Sequence, residues 1–173
     1  TSSVNINQPA LLSGAINQVN TTCSNNNGSI NLIAAGGTGI YQYSINNGTT
    51  FQPTSVFNNL VSGNYNLIIM DGNGCQTSLT TTIIDAPSPT IQNISAIDIS
   101  CNGYNDGSLN ILTLGGTAPL QYSNNNGSTF QGTSSFTNLL PGSYSIVVSD
   151  ANGCTVTGNV NISEPTAINA SFS

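Results

Sequence analysis

The chain of 173 residues contains no lysine, no arginine and no histidine, and its only charged side chains are six carboxylates. A chain without basic side chains cannot neutralise phosphate groups, which excludes nucleic-acid binding as its function. The same absence removes the usual attraction to anionic membrane surfaces. No apolar run approaches the roughly 20 residues that cross a bilayer, so we expect no direct membrane insertion.

The missing side chains also limit the reactions that this chain could catalyse. General acid–base catalysis usually recruits His, Lys or closely placed carboxylates, and here the carboxylates are scattered along the chain. A cysteine nucleophile requires a base or a positive neighbour, and a zinc site requires four convergent ligands. We therefore expect a protein that is not an enzyme, with no catalytic residues, no cofactor and no metal centre.

What the sequence does contain is an internal repeat rich in Asn, Ser, Thr, Gly and aliphatic residues. Shifted by 79 residues, "DGNGC" at 71–75 falls on "DANGC" at 150–154, and a Gly-Gly-Thr motif falls on a second Gly-Gly-Thr motif. The outer part of the repeat shifts by 78 instead, which places Cys23 on Cys101. Such self-similarity is typical of tandem-domain proteins.

The repeat boundaries divide the chain into four parts. Two whole copies occupy residues 10–87 and 88–165, and the segment 88–95 is interpreted as a semi-rigid junction between them. Residues 1–9 resemble the end of a copy, so we expect the last strand of a preceding repeat there. Residues 166–173 stand where a following repeat would begin. We therefore interpret the chain as a window of a longer tandem array.

Each copy is predicted to be all-β. Residues 143–150, "SYSIVVSD", and residues 154–162, "CTVTGNVNI", alternate between apolar and polar side chains, which is the signature of half-buried strands. Earlier strands are expected near 108–114, 119–124 and 134–139. About seven short strands in a copy of this size are typical of a small antiparallel, immunoglobulin-like β-sandwich. No segment shows a helical period.

The last two strands of each copy are joined by the phrase that contains a cysteine. Asp71 and Asp150 are predicted to accept hydrogen bonds from the amides ahead of them, and Gly74 and Gly153 to supply the positive φ of a hairpin turn. A calcium site is the alternative interpretation. However, each loop offers one carboxylate where Ca²⁺ takes six to eight oxygen ligands. Asp106 is likewise interpreted as a turn residue.

The aromatic residues are interpreted by whether they repeat. Tyr65 and Tyr144 follow a Leu-x-x-Gly-x pattern that predicts a tyrosine corner. Tyr104 has no counterpart in the first copy and lies in a Gly- and Asn-rich loop, where exposure would make it a contact for a sugar or a neighbouring chain. The other repeated aromatics are expected in the core, namely Tyr43, Phe51, Phe57 and their equivalents.

Four segments of the second copy together resemble a known family. They are "SCNGYNDGSLNI" at 100–111, "LGGTAPLQYS" at 114–123, "LLPGSYSIVVSDANGC" at 139–154 and "ISEP" at 162–165. They are similar to the SprB-type repeat of very large cell-surface adhesins of gliding and related Bacteroidetes. The first copy departs from the pattern at "TCSNNNGSI", where its loop is shorter. The resemblance implies export by the type IX route and presentation outside the cell, on the surface of a Gram-negative bacterium.

The function that follows is structural and adhesive. Tandem sandwiches build a long stalk or filament in which each repeat contacts its neighbours. The partners we expect are the adjacent repeats of the same chain and other copies of it in a fibre, because strand edges without lysine do not oppose pairing. The alternative is a carbohydrate-binding module whose partner is a surface polysaccharide.

The four cysteines are candidates for structural disulfides, with two pairings open. Pairing within each copy, Cys23 with Cys75 and Cys101 with Cys154, would close a loop worth about 4 kcal/mol. This is the pairing that small exported domains favour. In the other, Cys23 bonds Cys154 of the next copy, because in an immunoglobulin-like sandwich the two cysteines of one copy lie at opposite ends.

Overall fold

The computed structural model describes residues 8–170, and all regular structure in that range is β. The chain divides into two compact units, one ending at Asp85 and one beginning at Ala86, whereas the sequence repeat puts the boundary after Pro87. No helix in the described part is long and apolar enough to cross a membrane. The predicted all-β class is confirmed.

Both ends of the chain lie partly outside this range. Residues 1–7 of the strand expected at 1–9 are not described, and residues 8–9 are not in a strand. At the other end, residues 166–170 form no regular element, and 171–173 are not described.

The first unit is a sandwich of two antiparallel three-stranded sheets. Its strands, with a short one at the boundary, are β1 (Ser13–Val19), β2 (Thr21–Thr22), β3 (Gly28–Ala35), β4 (Gln42–Ser44), β5 (Val56–Leu60), β6 (Gly63–Met70), β7 (Gln76–Ile83) and β8 (Asp85–Ala86). One sheet has the order β1-β3-β5 and the other β4-β6-β7. These orders correspond to the A-B-E and C-F-G sheets of an immunoglobulin-like sandwich.

The second unit repeats this topology with six strands. They are β9 (Thr90–Ile97), β10 (Gly107–Leu114), β11 (Gln121–Ser123), β12 (Ser135–Leu139), β13 (Gly142–Ser149) and β14 (Thr155–Ile162). The sheets have the orders β9-β10-β12 and β11-β13-β14. The strands predicted near 108–114, 119–124 and 134–139 correspond to β10, β11 and β12. The immunoglobulin-like prediction is confirmed by the strand order.

The segment 88–95 is not simply a junction, because most of it belongs to β9. The alternation that would have revealed this strand is broken by a bulge. Ile91 pairs with Thr113 and Asn93 with Leu112, so one extra residue stands on the β9 side. As a result the two apolar side chains of β9 that pack on the core, Ile91 and Ile94, are three residues apart rather than two.

Each core is centred on four buried aliphatic side chains, two from each sheet. They are Ile30, Leu32, Leu67 and Ile69 in the first unit and the equivalent Leu109, Ile111, Ile146 and Val148 in the second. Burying one such side chain contributes about 1.5–3 kcal/mol. Apolar and polar side chains alternate strictly along β13, because every second side chain of the strand faces this core. The alternation is unbroken because Gly142–Ser149 pairs with 155–162 without a shift in register.

The predicted tyrosine corners are present in both units. The Tyr65 hydroxyl donates to the carbonyl of Val61 at 2.9 Å, and the Tyr144 hydroxyl donates to the carbonyl of Leu140 at 2.8 Å. Each bond joins the beginning of β6 or β13 to the loop before it. A side-chain-to-backbone hydrogen bond therefore fixes the path by which the chain enters each of these long strands. The far ends of the same strands lead into the segments that contain Cys75 and Cys154.

One repeated aromatic position does not lie in the core as expected, since neither Phe51 nor Phe130 is among the side chains that pack on it. The Phe130 side chain is 41% exposed, although Tyr122 nearby is buried. A Cβ added at Gly127 would lie 3.7 Å from the Phe130 ring and 3.8 Å from Val147. The ring therefore covers the Asn-Gly turn on the outside of the sheet, where the loop between β11 and β12 carries it.

Candidate functional site: the cysteine hairpins and cysteine loops

Two elements of each unit carry the cysteines. We call residues 71–75 and 150–154, which join the last two strands, the cysteine hairpins. We call residues 20–27 and 98–106, which lie between the first two long strands of each unit, the cysteine loops. All candidate site residues from the sequence lie in these four elements.

The hairpin of the second unit is organised by Asp150. One carboxylate oxygen accepts the backbone N–H of Asn152 at 2.9 Å and that of Cys154 at 2.8 Å. The other oxygen accepts the backbone N–H of Thr117 at 2.9 Å. The Asn152 side-chain amide adds a bond to the Thr117 hydroxyl at 2.8 Å. The carboxylate thus joins the turn to the Gly-Gly-Thr loop of the same unit.

The hairpin of the first unit has the same network. Asp71 accepts the backbone N–H groups of Asn73, Cys75 and Thr38 at 3.0, 2.9 and 2.9 Å. The approach of the Gly-Gly-Thr loop requires glycine, since a Cβ on Gly37 would lie 2.8 Å from the Asp71 carboxylate, and its φ is +67°. The network is therefore a property of the repeat.

Both aspartates are almost fully buried, with 4% of Asp71 and 6% of Asp150 exposed. Burial acts to raise the pKa of each carboxyl, but the hydrogen bonds from the backbone outweigh it and hold both pKa values below the ordinary value. The carboxylates are therefore charged at neutral pH. Gly74 and Gly153 stand in the turn with φ values of 81° and 78°, so the hairpins have the turn geometry expected of these residues.

The cysteine loop of the first unit is held by Asp85. Its carboxylate accepts the Ser24 backbone N–H at 3.2 Å, the Ser24 hydroxyl at 3.0 Å and the Thr21 hydroxyl at 2.9 Å. Cys23 and Ser24 both adopt positive φ, at 58° and 55°. Two successive non-glycine residues in this region are unusual, and the bonds to Asp85 stabilise the conformation.

In the second unit a different acid, Glu164, holds the cysteine loop. Glu164 accepts the backbone N–H of Gly103 at 3.0 Å, and the carbonyl of Pro165 accepts the Asn102 amide at 3.0 Å. Within the loop, hydrogen bonds from the hydroxyl and backbone N–H of Ser100 lower the pKa of Asp106. The tie between the cysteine loop and the end of the repeat is thus retained although the loops differ in length.

Every carboxylate side chain of the protein accepts at least one backbone N–H, the sixth being Asp98, which binds the N–H of Ser163 at 2.8 Å. The sequence analysis assigned turn roles to Asp71, Asp106 and Asp150 but missed the three others. Of these, Asp85 and Glu164 were recognisable only as acids close to a repeat boundary. Among residues 8–170, no three His, Cys, Asp or Glu side chains converge as a ligand set.

The cysteines are in two states. Cys23 and Cys154 are disulfide-bonded, whereas Cys75 and Cys101 carry free, exposed thiols. The prediction of a structural disulfide is confirmed. The pairing within each copy, which requires Cys75 and Cys101, is wrong for this structure. The alternative, Cys23 with Cys154, agrees with both observed states.

The first unit shows why its own two cysteines do not pair. The Gln18 side chain bonds the carbonyl of Thr82, and the Asn20 side chain accepts the N–H of Ile84. The end of β1 therefore lies beside the end of β7. Cys23 follows the end of β1, while Cys75 precedes the start of β7. Eight residues of strand separate them, about 26 Å, whereas a disulfide needs Cα atoms within about 7 Å.

Tyr104 lies in the cysteine loop of the second unit and its side chain is 59% exposed. Its backbone N–H donates to the carbonyl of Cys101 at 3.0 Å. This backbone bond closes a turn between Cys101 and Tyr104, three residues apart in the same loop.

The topology defines a tandem pair of immunoglobulin-like sandwich units whose repeated elements hold cysteines. Two segments of the chain, residues 15–50 and 93–129, match the family model of the SprB repeat. One match lies in each unit, and the resemblance drawn from the sequence is confirmed.

Two solved structures are similar over most of the chain. One is a C-terminal 282-residue fragment of intimin in complex with the intimin-binding domain of the translocated intimin receptor, with 16% identity and a TM-score of 0.47. The match covers 87% of this chain and 64% of that fragment. The other is murine CEACAM1b, with 11% identity, a TM-score of 0.38, and coverage of 88% of this chain and 100% of that one. No curated protein matches the chain.

Proposed function

We propose that this chain is a structural and adhesive segment of a long extracellular protein on the surface of a Gram-negative bacterium, and that it catalyses no reaction. The observation that carries the proposal is that one hydrogen-bond network, centred on Asp71 and on Asp150, is built twice at equivalent positions. A substrate site is commonly made once, whereas a network repeated with each domain serves the domain itself. The matches to the SprB repeat support a surface location.

The use of charge supports a scaffold role. All six carboxylates hold loops by accepting backbone N–H groups, so none is left as a paired acid and base. A chain of such low charge gains little from ionic contacts, and its loops are held mainly by hydrogen bonds within each unit. Because buried or short-range hydrogen bonds are screened less than distant charges, the fold should tolerate changing salt outside a cell.

The outward faces of the long hairpins are neutral and rich in hydrogen-bonding groups. The Thr82 hydroxyl bonds the Asn64 side chain at 2.7 Å, and in the second unit the Ser143 hydroxyl bonds the Asn161 side chain at 2.6 Å. Such cross-strand pairs leave further amide and hydroxyl groups facing solvent. This surface suits adhesion to another uncharged, hydrogen-bonding surface, such as a like chain.

The alternative function is a carbohydrate-binding module. Tyr104 favours it, since an exposed ring can stack on a sugar. However, it is the one exposed tyrosine of the described range, where the other five are buried or half-buried. A platform of several exposed tyrosines is not formed there, so we rank the structural role first.

Surface labelling tests the proposed function. Antibody raised against this chain is applied to intact and to permeabilised cells of the strain that encodes it. We expect equal labelling of both, and labelling confined to permeabilised cells would contradict the proposal. Trypsin provides a second test because the chain has no Lys or Arg. Treatment of intact cells should release an antibody-reactive fragment no smaller than the 17.7 kDa of this segment.

A glycan array separates the two functions. The two-unit protein is compared with its Tyr104→Ala variant. The structural role predicts no retained glycan for either protein. Glycan binding that is lost on substitution of Tyr104 would instead support the carbohydrate-binding alternative.

A further inference from the structure

We propose that Cys101 of one pair of units and Cys75 of the next pair form a disulfide, and that a second copy of this chain supplies that next pair by attaching head to tail. The inference rests on the proposed function, because it treats each unit as one member of a series of like units. It assigns to both free thiols the same kind of partner, namely a cysteine of another unit of this kind.

The first argument is equivalence within the repeat. Cys75 occupies in the first unit the position that Cys154 occupies in the second, and Cys101 corresponds to Cys23. The disulfide-bonded cysteines are Cys23 and Cys154, one from a cysteine loop and one from a cysteine hairpin. The free cysteines are again one from each element. A second copy would supply to each free thiol the element that it lacks, a cysteine loop to Cys75 and a cysteine hairpin to Cys101.

The second argument is that carboxylates hold the elements that carry the free thiols, as they hold the elements that carry the bonded cysteines. The backbone N–H of Cys75 donates to Asp71 at 2.9 Å, and that of Cys154 donates to Asp150 at 2.8 Å. The Cys101 loop is held by Glu164, as the Cys23 loop is held by Asp85. Both backbones are therefore arranged in advance, which lowers the entropy cost of joining them.

The third argument is the surface beside each thiol. Cys75 borders an open groove with Pro9 and Leu11, and the Leu11 side chain is 89% exposed. Cys101 borders a second open groove with Pro165 and Ile168, and Ile168 is 98% exposed. The hairpin thiol itself differs from its bonded equivalent, since Cys154 is only 2% exposed. An exposed thiol beside exposed aliphatic side chains fits a surface that another unit covers.

The bond forms by thiol–disulfide exchange with a low-molecular-weight disulfide such as oxidised glutathione. The thiolate of one cysteine attacks this disulfide, forms a mixed disulfide and releases one glutathione thiolate. The thiolate of the second cysteine then attacks the protein sulfur of the mixed disulfide and releases the other glutathione. Two protein thiols are oxidised to one disulfide, and one oxidised glutathione is reduced to two glutathiones. Such exchange persists outside the cell, where conditions are oxidising.

Two matched variants test the proposal. Cys75→Ser leaves only the loop thiol free, and Cys101→Ser leaves only the hairpin thiol free, while Cys23 and Cys154 are unchanged in both. Each variant, and an equimolar mixture, is incubated in a glutathione redox buffer near pH 8. The products are measured by intact mass and by non-reducing gel electrophoresis. The double variant controls for exchange through Cys23 and Cys154.

We expect the mixture to form a covalent dimer in at least about tenfold excess over the homodimers of either variant. Cleavage before aspartate should release a peptide that joins Cys101 to Cys75, and the unsubstituted chain should form a ladder of multimers. In guanidinium the preference should fall to the random ratio, because only the folded elements direct it. Homodimers formed as readily as the mixed dimer, or glutathione adducts alone, would overturn the proposal. Surface labelling of cells is unaffected by either result, so failure here is distinguishable from failure of the proposed function.

Discussion

The carboxylate of Asp150 accepts the backbone N–H of Cys154 at 2.8 Å, four residues further along the chain. The relationship between Asp71 and Cys75 is the same, at 2.9 Å. The five-residue motif that the sequence contains twice therefore holds a cysteine in place immediately before a strand. The aspartate is needed for its two acceptor oxygens, one for the hairpin and one for the Gly-Gly-Thr loop.

Replacing Asp150 by Asn should destabilise the second unit. The amide oxygen can still accept from Asn152 and Cys154, but the amide nitrogen would face the N–H of Thr117, and two donors would oppose each other. Leaving one buried N–H without an acceptor costs about 2 kcal/mol, which lowers Tm by roughly 8–16 °C in a unit of this size. Thermal unfolding followed by circular dichroism measures the change.

Asp98→Asn is the matched control for this prediction. Asp98 is exposed and accepts one bond, from the N–H of Ser163, which an amide oxygen can also accept. We expect a shift in Tm of no more than about 2 °C, since exposed polar substitutions cost little. Equal shifts for the two variants would contradict the assigned role of Asp150.

Stability should depend on pH only in the acid range. The pKa values of Asp71, Asp106 and Asp150 are lowered by folding from an ordinary value of 3.8. Their contribution is fully present above that value and is lost as the pH falls through the folded pKa values. Because the chain has no histidine, Tm should be constant between about pH 5 and 7. Thermal unfolding from pH 2 to 7 checks this, and a marked slope between pH 5 and 7 would contradict it.

Tyr144→Phe should weaken the second unit through the loss of one hydrogen bond. The hydroxyl donates to the carbonyl of Leu140 at 2.8 Å, and such a bond contributes about 1 kcal/mol. Urea unfolding should show a lower midpoint at unchanged slope. Tyr104→Phe is the control, because its side chain is 59% exposed and its substitution should leave the midpoint unchanged. A Tyr144→Phe midpoint equal to that of the control would show that the corner contributes nothing.

Cleavage before each aspartate decides the disulfide pairing, since it places the four cysteines on four separate peptides. These peptides are 1–70, 71–84, 98–105 and 150–173. Under non-reducing conditions we expect the peptide with Cys23 linked to the one with Cys154, and the other two cysteines available for alkylation. A link between 1–70 and 71–84 would restore the pairing within the first copy.

Much of the architecture could be predicted because the signals are local. The apolar side chains of β13 alternate, so Ile146 and Val148 were recognisable as core from the sequence alone. The corner at Tyr144 and the turn glycines depend on residues within four positions of each other. Strand β9 was missed because its bulge places Ile91 and Ile94 three residues apart, a spacing that no strand template contains.

The sequence by itself determined that this chain contains two tandem antiparallel sandwiches with structural cysteines. These properties follow from periodicity, from the repeat and from the missing basic residues, all of which are read along the chain. Only the tertiary structure decided which cysteines are bonded. In the first unit the end of β1 lies beside the end of β7, so the length of β7 separates Cys23 from Cys75. That separation comes from the course of two strands that are distant in sequence, and no local pattern records it.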